Sequence, residues 1–163
     1  MSPAVTVSAC PVADDLPREP ADPSPDTLTY SLTLPSDFTS PGVARAVTRS
    51  VLYRHGLAEL TDAAVQTVAE LVGCACRFSG SADVYVSLRH REGALRIVSY
   101  DGHPRHSHPR LAEHCEARRR AELRVLACVV RVCEGEWGFG DAREPGGGTR
   151  MWAVLPRAGA RGY

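Results

Sequence analysis

Glu70 and Cys74 stand four residues apart in an apolar stretch, which on a helix puts both side chains on one face. A carboxylate held over a cleft can act as a general base. The same residue on a solvated face does no chemistry, and spacing alone does not separate the two. Tyr100-Asp101-Gly102 sets a second carboxylate at the end of a β-rich run. An Asp there is placed to accept a hydrogen bond from an amino group such as the N6 amine of adenine. Gly102 beside it lets a ligand approach the backbone closely. An ordinary Asp-Gly turn uses the same two residues. A third group is His103, His106 and His108, with His114 and Cys115 downstream. Imidazole and thiolate suit zinc, yet the spacing matches no recognised zinc pattern, and exposed loop histidines are the simpler account. Cys74 and Cys76, two apart, point to different helix faces, and Cys76 reads as a core thiol.

The elements that position these residues follow from periodicity. Thr27 to Leu34 alternates and is β-rich, an edge strand ended by Pro35-Ser36. Ser40-Pro41 reads as an N-cap and first helical position, followed by Val43, Ala46, Val47, Val51 and Leu52 at helical spacing, with Gly56 closing the helix. Thr61-Asp62 caps a second helix that runs to about Phe78, with the stripe Ala64, Val65, Val68, Leu71, Val72 and Ala75. Two alternating strands over 83–88 and 94–100 flank the turn Glu92-Gly93. A Gly/Pro/His loop spans 101–109. The pattern then predicts a helix over 109–133, broken near Arg118, with Cys128 and Cys133 in a buried stripe beside Leu126, Val129, Val130 and Val132. A strand begins at Glu136, 144–148 is a turn, and 149–155 is the last strand. The order predicts an α+β fold, a two-layer sandwich with a mixed, mostly antiparallel sheet and helices on one face.

Composition narrows the class. At 163 residues and 44% apolar, the chain holds one domain with a real core. Its 19 basic and 19 acidic residues cancel, so no global field draws it to nucleic acid or a membrane. Every basic residue is Arg, which removes any mechanism that needs a lysine. No apolar run is long enough for a transmembrane helix, and no signal peptide is evident. The cysteines fall largely inside apolar helical patterns rather than in a short, loop-rich disulfide framework, so the expected compartment is the reducing cytoplasm. Residues 1–26, rich in Pro, Ala, Asp and Ser, read as a disordered tail. The domain is expected over 27–156 and a C-terminal tail over 157–163.

The order of motifs carries more than any one of them. The helix with Glu70-Leu71-Val72, the hairpin, Asp101-Gly102, the His/Pro loop, Trp137-Gly138 and the strand entry Gly147-Gly148-Thr149-Arg150-Met151-Trp152 together resemble the GHKL superfamily of histidine kinase-, gyrase- and heat-shock-type ATPases. Within it the chain is similar to small bacterial ATP-binding regulators related to anti-sigma-factor serine kinases, over about Leu28 to Pro156. The resemblance implies that Glu70 is the catalytic base and that Asp101, with Gly102, reads adenine. It places Thr149 within one residue of the family's last-strand threonine. Cys74 falls where the family has its magnesium-binding Asn. Magnesium demands hard oxygen ligands in octahedral geometry, and a thiol is soft. The family's Gly-rich lid holds phosphates by backbone N–H groups, whereas 116–123 here contains no glycine. A hydrogen bond to a charged group contributes about 1.5–3 kcal/mol, so losing two weakens binding roughly 100- to 10,000-fold. Arg118, Arg119 and Arg120 either replace them on phosphate or form a solvated face.

Three functions compete. The resemblance implies an ATP-binding regulator with serine/threonine kinase activity, taking ATP and magnesium. The departures at Cys74 and the lid favour a degenerate member that needs no cofactor and binds a regulatory protein. That protein would be a sigma factor, an anti-sigma antagonist or a helix-turn-helix regulator, with no direct contact to nucleic acid or membrane. A homodimer is compatible with the resemblance. The third is a redox- or metal-responsive switch built from Cys74 and the histidine loop.

Overall fold

The computed structural model describes residues 22–143, 147–161 and 163. Most of the expected N-terminal tail and part of the turn at 144–148 lie outside the described residues. Strand β1 (Thr29–Pro35) is followed by helices α1 (Ser40–Arg54) and α2 (Thr61–Phe78), then β2 (Asp83–Arg91) and β3 (Ala94–Asp101). Helices α3 (Pro109–Glu122) and α4 (Arg124–Val132), strands β4 (Glu136–Asp141) and β5 (Thr149–Pro156), and the short α5 (Arg157–Ala160) complete the order. The five strands form one open sheet in the order β1-β2-β3-β5-β4. All its pairings are antiparallel, so it is not the mixed sheet expected. With the helices packed over it, the chain is a two-layer α/β sandwich.

Alternation explains how the sheet faces the helices. Val84, Val86, Leu88, Leu95, Ile97, Met151, Ala153 and Leu155 turn inward and are buried, while Arg89, Arg96 and Tyr85 point to solvent. The β2–β3 hairpin turns on Glu92 (φ 52°) and Gly93 (φ 74°). Two positive φ angles are what a two-residue turn between right-twisted strands requires. Helix α2 supplies Val68, Leu71, Val72 and Ala75 to the core. Burying each large aliphatic side chain contributes about 1.5–3 kcal/mol.

Three expectations for α1 and α2 are corrected. In α1, Val43 and Ala46 are exposed, and the buried stripe is Ser40, Ala44, Thr48, Val51 and Leu52. Ser40, Ala44 and Thr48 share the buried face with Val51 and Leu52, so burial in α1 does not follow hydropathy. Ser40 is not a side-chain N-cap, because its hydroxyl donates to the Pro35 carbonyl at 2.6 Å. The preceding turn is held instead by the Asp37 carboxylate, which accepts from the Thr39 N–H at 2.7 Å. Nor does a Thr61 side chain cap α2, which grows out of a 3₁₀ turn over Ala58–Leu60.

The break in the third helical stretch falls at Leu123 rather than near Arg118, because Leu123 turns into the core and is fully buried. Past the break, α4 buries Leu126, Val129 and Val130, but Cys128 and Val132 are exposed, against expectation. At 100° per residue Cys128 stands about 200° and Val132 about 240° around the axis from Leu126, off the face that Leu126, Val129 and Val130 share. Cys76 is half-buried beside the core rather than within it. Beyond β5, Ala160 of α5 is buried and Arg157 pairs with Glu59. Among the described residues, no helix is long and apolar enough to cross a membrane.

Candidate functional site

Asp101 and Cys74, two of the side chains singled out in the sequence, meet at Arg119, whereas Glu70 does not. Its Nη1 donates to Asp101 Oδ2 at 2.7 Å, with Arg119 3% exposed and the Asp101 side chain fully buried. The guanidinium lies over the Phe78 ring at 4.3 Å from its centroid, and Nη1 also reaches Met151 Sδ at 3.2 Å and Cys74 Sγ at 3.9 Å. Nη2 is buried without a hydrogen-bond partner, so the pair is not a bidentate fork. Arg118 and Arg120 point outward, and Arg120 pairs with Glu116 at 2.8 Å. On a helix three consecutive side chains are spread around the axis, so one of the three faces the sheet. Arg119 therefore lies neither on a solvated face nor free to meet a phosphate, whereas Arg118 and Arg120 are on the solvated face.

Glu70 and Cys74 share a groove on α2 with Phe38, Pro41, Arg77 and Glu122. Glu70 accepts a hydrogen bond from Gln66 Nε2 at 2.8 Å, one turn away. Cys74 is buried, and burial pushes its thiol up to about 12 despite the opposing Arg119 charge. A neutral, buried thiol is no magnesium ligand. The donor set at α2 therefore does not fit the ion.

Asp101 belongs to different surroundings. It lies beneath Arg119, and its Oδ1 accepts from the His103 backbone N–H at 2.9 Å. Gly102 is exposed, but in the direction a Cβ would take it meets Ser81. A Cβ there would stand 2.6 Å from Ser81 Oγ and 2.8 Å from Ser81 Cβ. Thr149 pairs in register with Asp101 and lines a cleft of about 470 Å³ with His103, His106, Cys115 and Arg119.

That cleft holds the arrangement the spacing did not disclose. His103 Nε2 lies 3.0 Å from His106 Nε2, which lies 3.0 Å from Cys115 Sγ. His108 and His114 are exposed and outside it. Helix α3 folds back over the loop, so residues from two elements converge that no linear pattern joins. Arg119 is the signal that bears on this, since Cys115 is four residues before it and shares its inward face.

No known family model matches the chain, and no curated protein is similar enough to match it.

Proposed function

We propose that this chain is a non-catalytic protein-binding module, a GHKL-like sandwich that holds a transcription-regulatory protein without magnesium-ATP. One observation carries the reading: the carboxylate that the resemblance reserves for adenine is used by Arg119. A guanidinium N–H is the same kind of donor as an adenine amino group, so the acceptor is not free. Opening the pair leaves a buried charge uncompensated, at a cost of about 3–5 kcal/mol. A micromolar site supplies about 8.2 kcal/mol. The difference, about 3–5 kcal/mol, corresponds to roughly millimolar binding. The neutral Cys74 thiol works in the same direction by offering no ligand for magnesium.

The partner class, a sigma factor, an anti-sigma antagonist or a helix-turn-helix regulator, comes from the resemblance alone. The proposed compartment is the cytoplasm, in keeping with the five free cysteines among the described residues.

Calorimetry tests the reading. Magnesium-ATP titrated to millimolar concentration is expected to give no saturable heat. A regulator encoded beside the gene is expected to bind equally well with and without the nucleotide. Saturable, magnesium-dependent binding at micromolar ATP would restore the kinase reading.

A further inference from the structure

We infer that His103 Nε2, His106 Nε2 and Cys115 Sγ form a zinc site opening onto the cleft between the 102–108 loop, α3 and the β4–β5 edge. This inference is independent of the Arg119 reading. The three ligand atoms all lie within 4.8 Å of one another, and two of the three separations are 3.0 Å. Zinc–nitrogen bonds of about 2.0–2.1 Å and a zinc–sulfur bond of about 2.3 Å, at tetrahedral angles, set ligand atoms roughly 3.3–3.6 Å apart. The two 3.0 Å separations reach that geometry by opening a few tenths of an ångström, and the third, within 4.8 Å, is brought to it by a small rotation of the side chains.

The surroundings orient the ligands as a metal requires. His103 Nδ1 lies 2.9 Å from the Phe78 carbonyl oxygen, which only accepts, so the ring proton sits on Nδ1. The Nε2 lone pair is then directed at the cluster, the second-shell arrangement typical of metal-bound imidazole. The ring is fixed further by an edge contact to Phe78, with centroids 5.7 Å apart, and by the His103 N–H bond to Asp101. Cys115 stands one turn before Arg119, the buried residue of α3, on the same helix face.

A nucleophilic cysteine–histidine pair fits less well. In such a pair the group that orients the imidazole sits on the ring nitrogen away from sulfur. Here His103 and Cys115 both meet the same atom, His106 Nε2. Three donors converging on one point suit a cation, with thiolate and imidazole as borderline-soft ligands for zinc. Ligation takes the thiolate, so the Cys115 proton leaves to solvent. With three protein ligands the fourth position faces the cleft and takes water or an added ligand.

The full chain, stripped of metal, is titrated with zinc against a chromophoric chelator, and separately with cobalt(II) as a spectroscopic stand-in. One equivalent of zinc is expected. The cobalt form is expected to show tetrahedral visible bands with a thiolate-to-cobalt charge-transfer band. Cys115→Ser should abolish that band and weaken zinc binding at least tenfold, and His106→Ala should weaken it similarly. His108→Ala and Cys128→Ser should change neither. Zinc should also raise the melting temperature of the unaltered chain, a readout that does not depend on any variant folding. Absence of that rise, or a Cys115→Ser protein that binds zinc as tightly as the unaltered chain, overturns the site.

Discussion

Arg119 Nη1 and Asp101 Oδ2, 2.7 Å apart and shut off from solvent, join α3 to the end of β3. Arg119 is the one buried residue of α3, whereas α4 buries Leu126, Val129 and Val130. An ion pair therefore docks α3 where apolar area docks its neighbour.

Removing one partner should cost more than removing both. Arg119→Met leaves the Asp101 charge buried and unpaired and is expected to destabilise the fold by about 3–5 kcal/mol. Adding Asp101→Asn removes that charge and keeps an acceptor for the His103 N–H, so the double variant should recover much of the loss. Denaturant unfolding of the four proteins gives the coupling. Additive losses would sink the account of the pair.

The same substitution should loosen one helix selectively. In Arg119→Met, amide hydrogen exchange is expected to quicken across 109–122. Residues 124–132 should quicken less, only as far as the loss in global stability requires, since their apolar contacts are untouched. Uniform acceleration over both helices would show that α3 is not anchored separately.

The thiols should divide by burial. Cys128 is exposed and is expected to alkylate readily at pH 8, while Cys74 and Cys133, whose pKa values burial raises, should react only as the chain opens. The linkage has a definite sign. Below pH 9 the Cys74 thiol is protonated in both states, so its contribution is fully present. Between 9 and about 12 the unfolded chain loses the proton and the folded chain keeps it. Stability therefore falls as pH rises through that window. Pulse alkylation with mass spectrometry and denaturant melts from pH 8 upward check both parts.

A Cβ on Gly102 would run into Ser81, so Gly102→Ala should destabilise the fold by about 1–3 kcal/mol through overpacking there. In a Ser81→Gly background, where both offending side-chain atoms are gone, the loss should shrink. An equal loss in both backgrounds would place the strain elsewhere.

Local patterns in the chain determined the elements and their order. Alternation laid out β2 and β3, Glu92-Gly93 marked the turn between them, and the α2 stripe named Val68, Leu71, Val72 and Ala75 for the core. These features are legible because hydrophobic period and turn chemistry act over a few residues. The α1 stripe was misphased because small polar Ser40 and Thr48, which carry no hydrophobic signal, line the buried face. Cys128 is exposed because its position, two residues from Leu126, is on the opposite side of α4 from the buried stripe, and its apolar character hides that phase. The candidate sites were decided by tertiary structure alone. Which of Arg118, Arg119 and Arg120 turns inward depends on where α3 lands. Whether His103 and His106 meet Cys115 depends on the loop folding back under that helix. Residue types set what each group can do, but long-range packing brings their atoms within bonding reach, and no short-range periodicity encodes that distance.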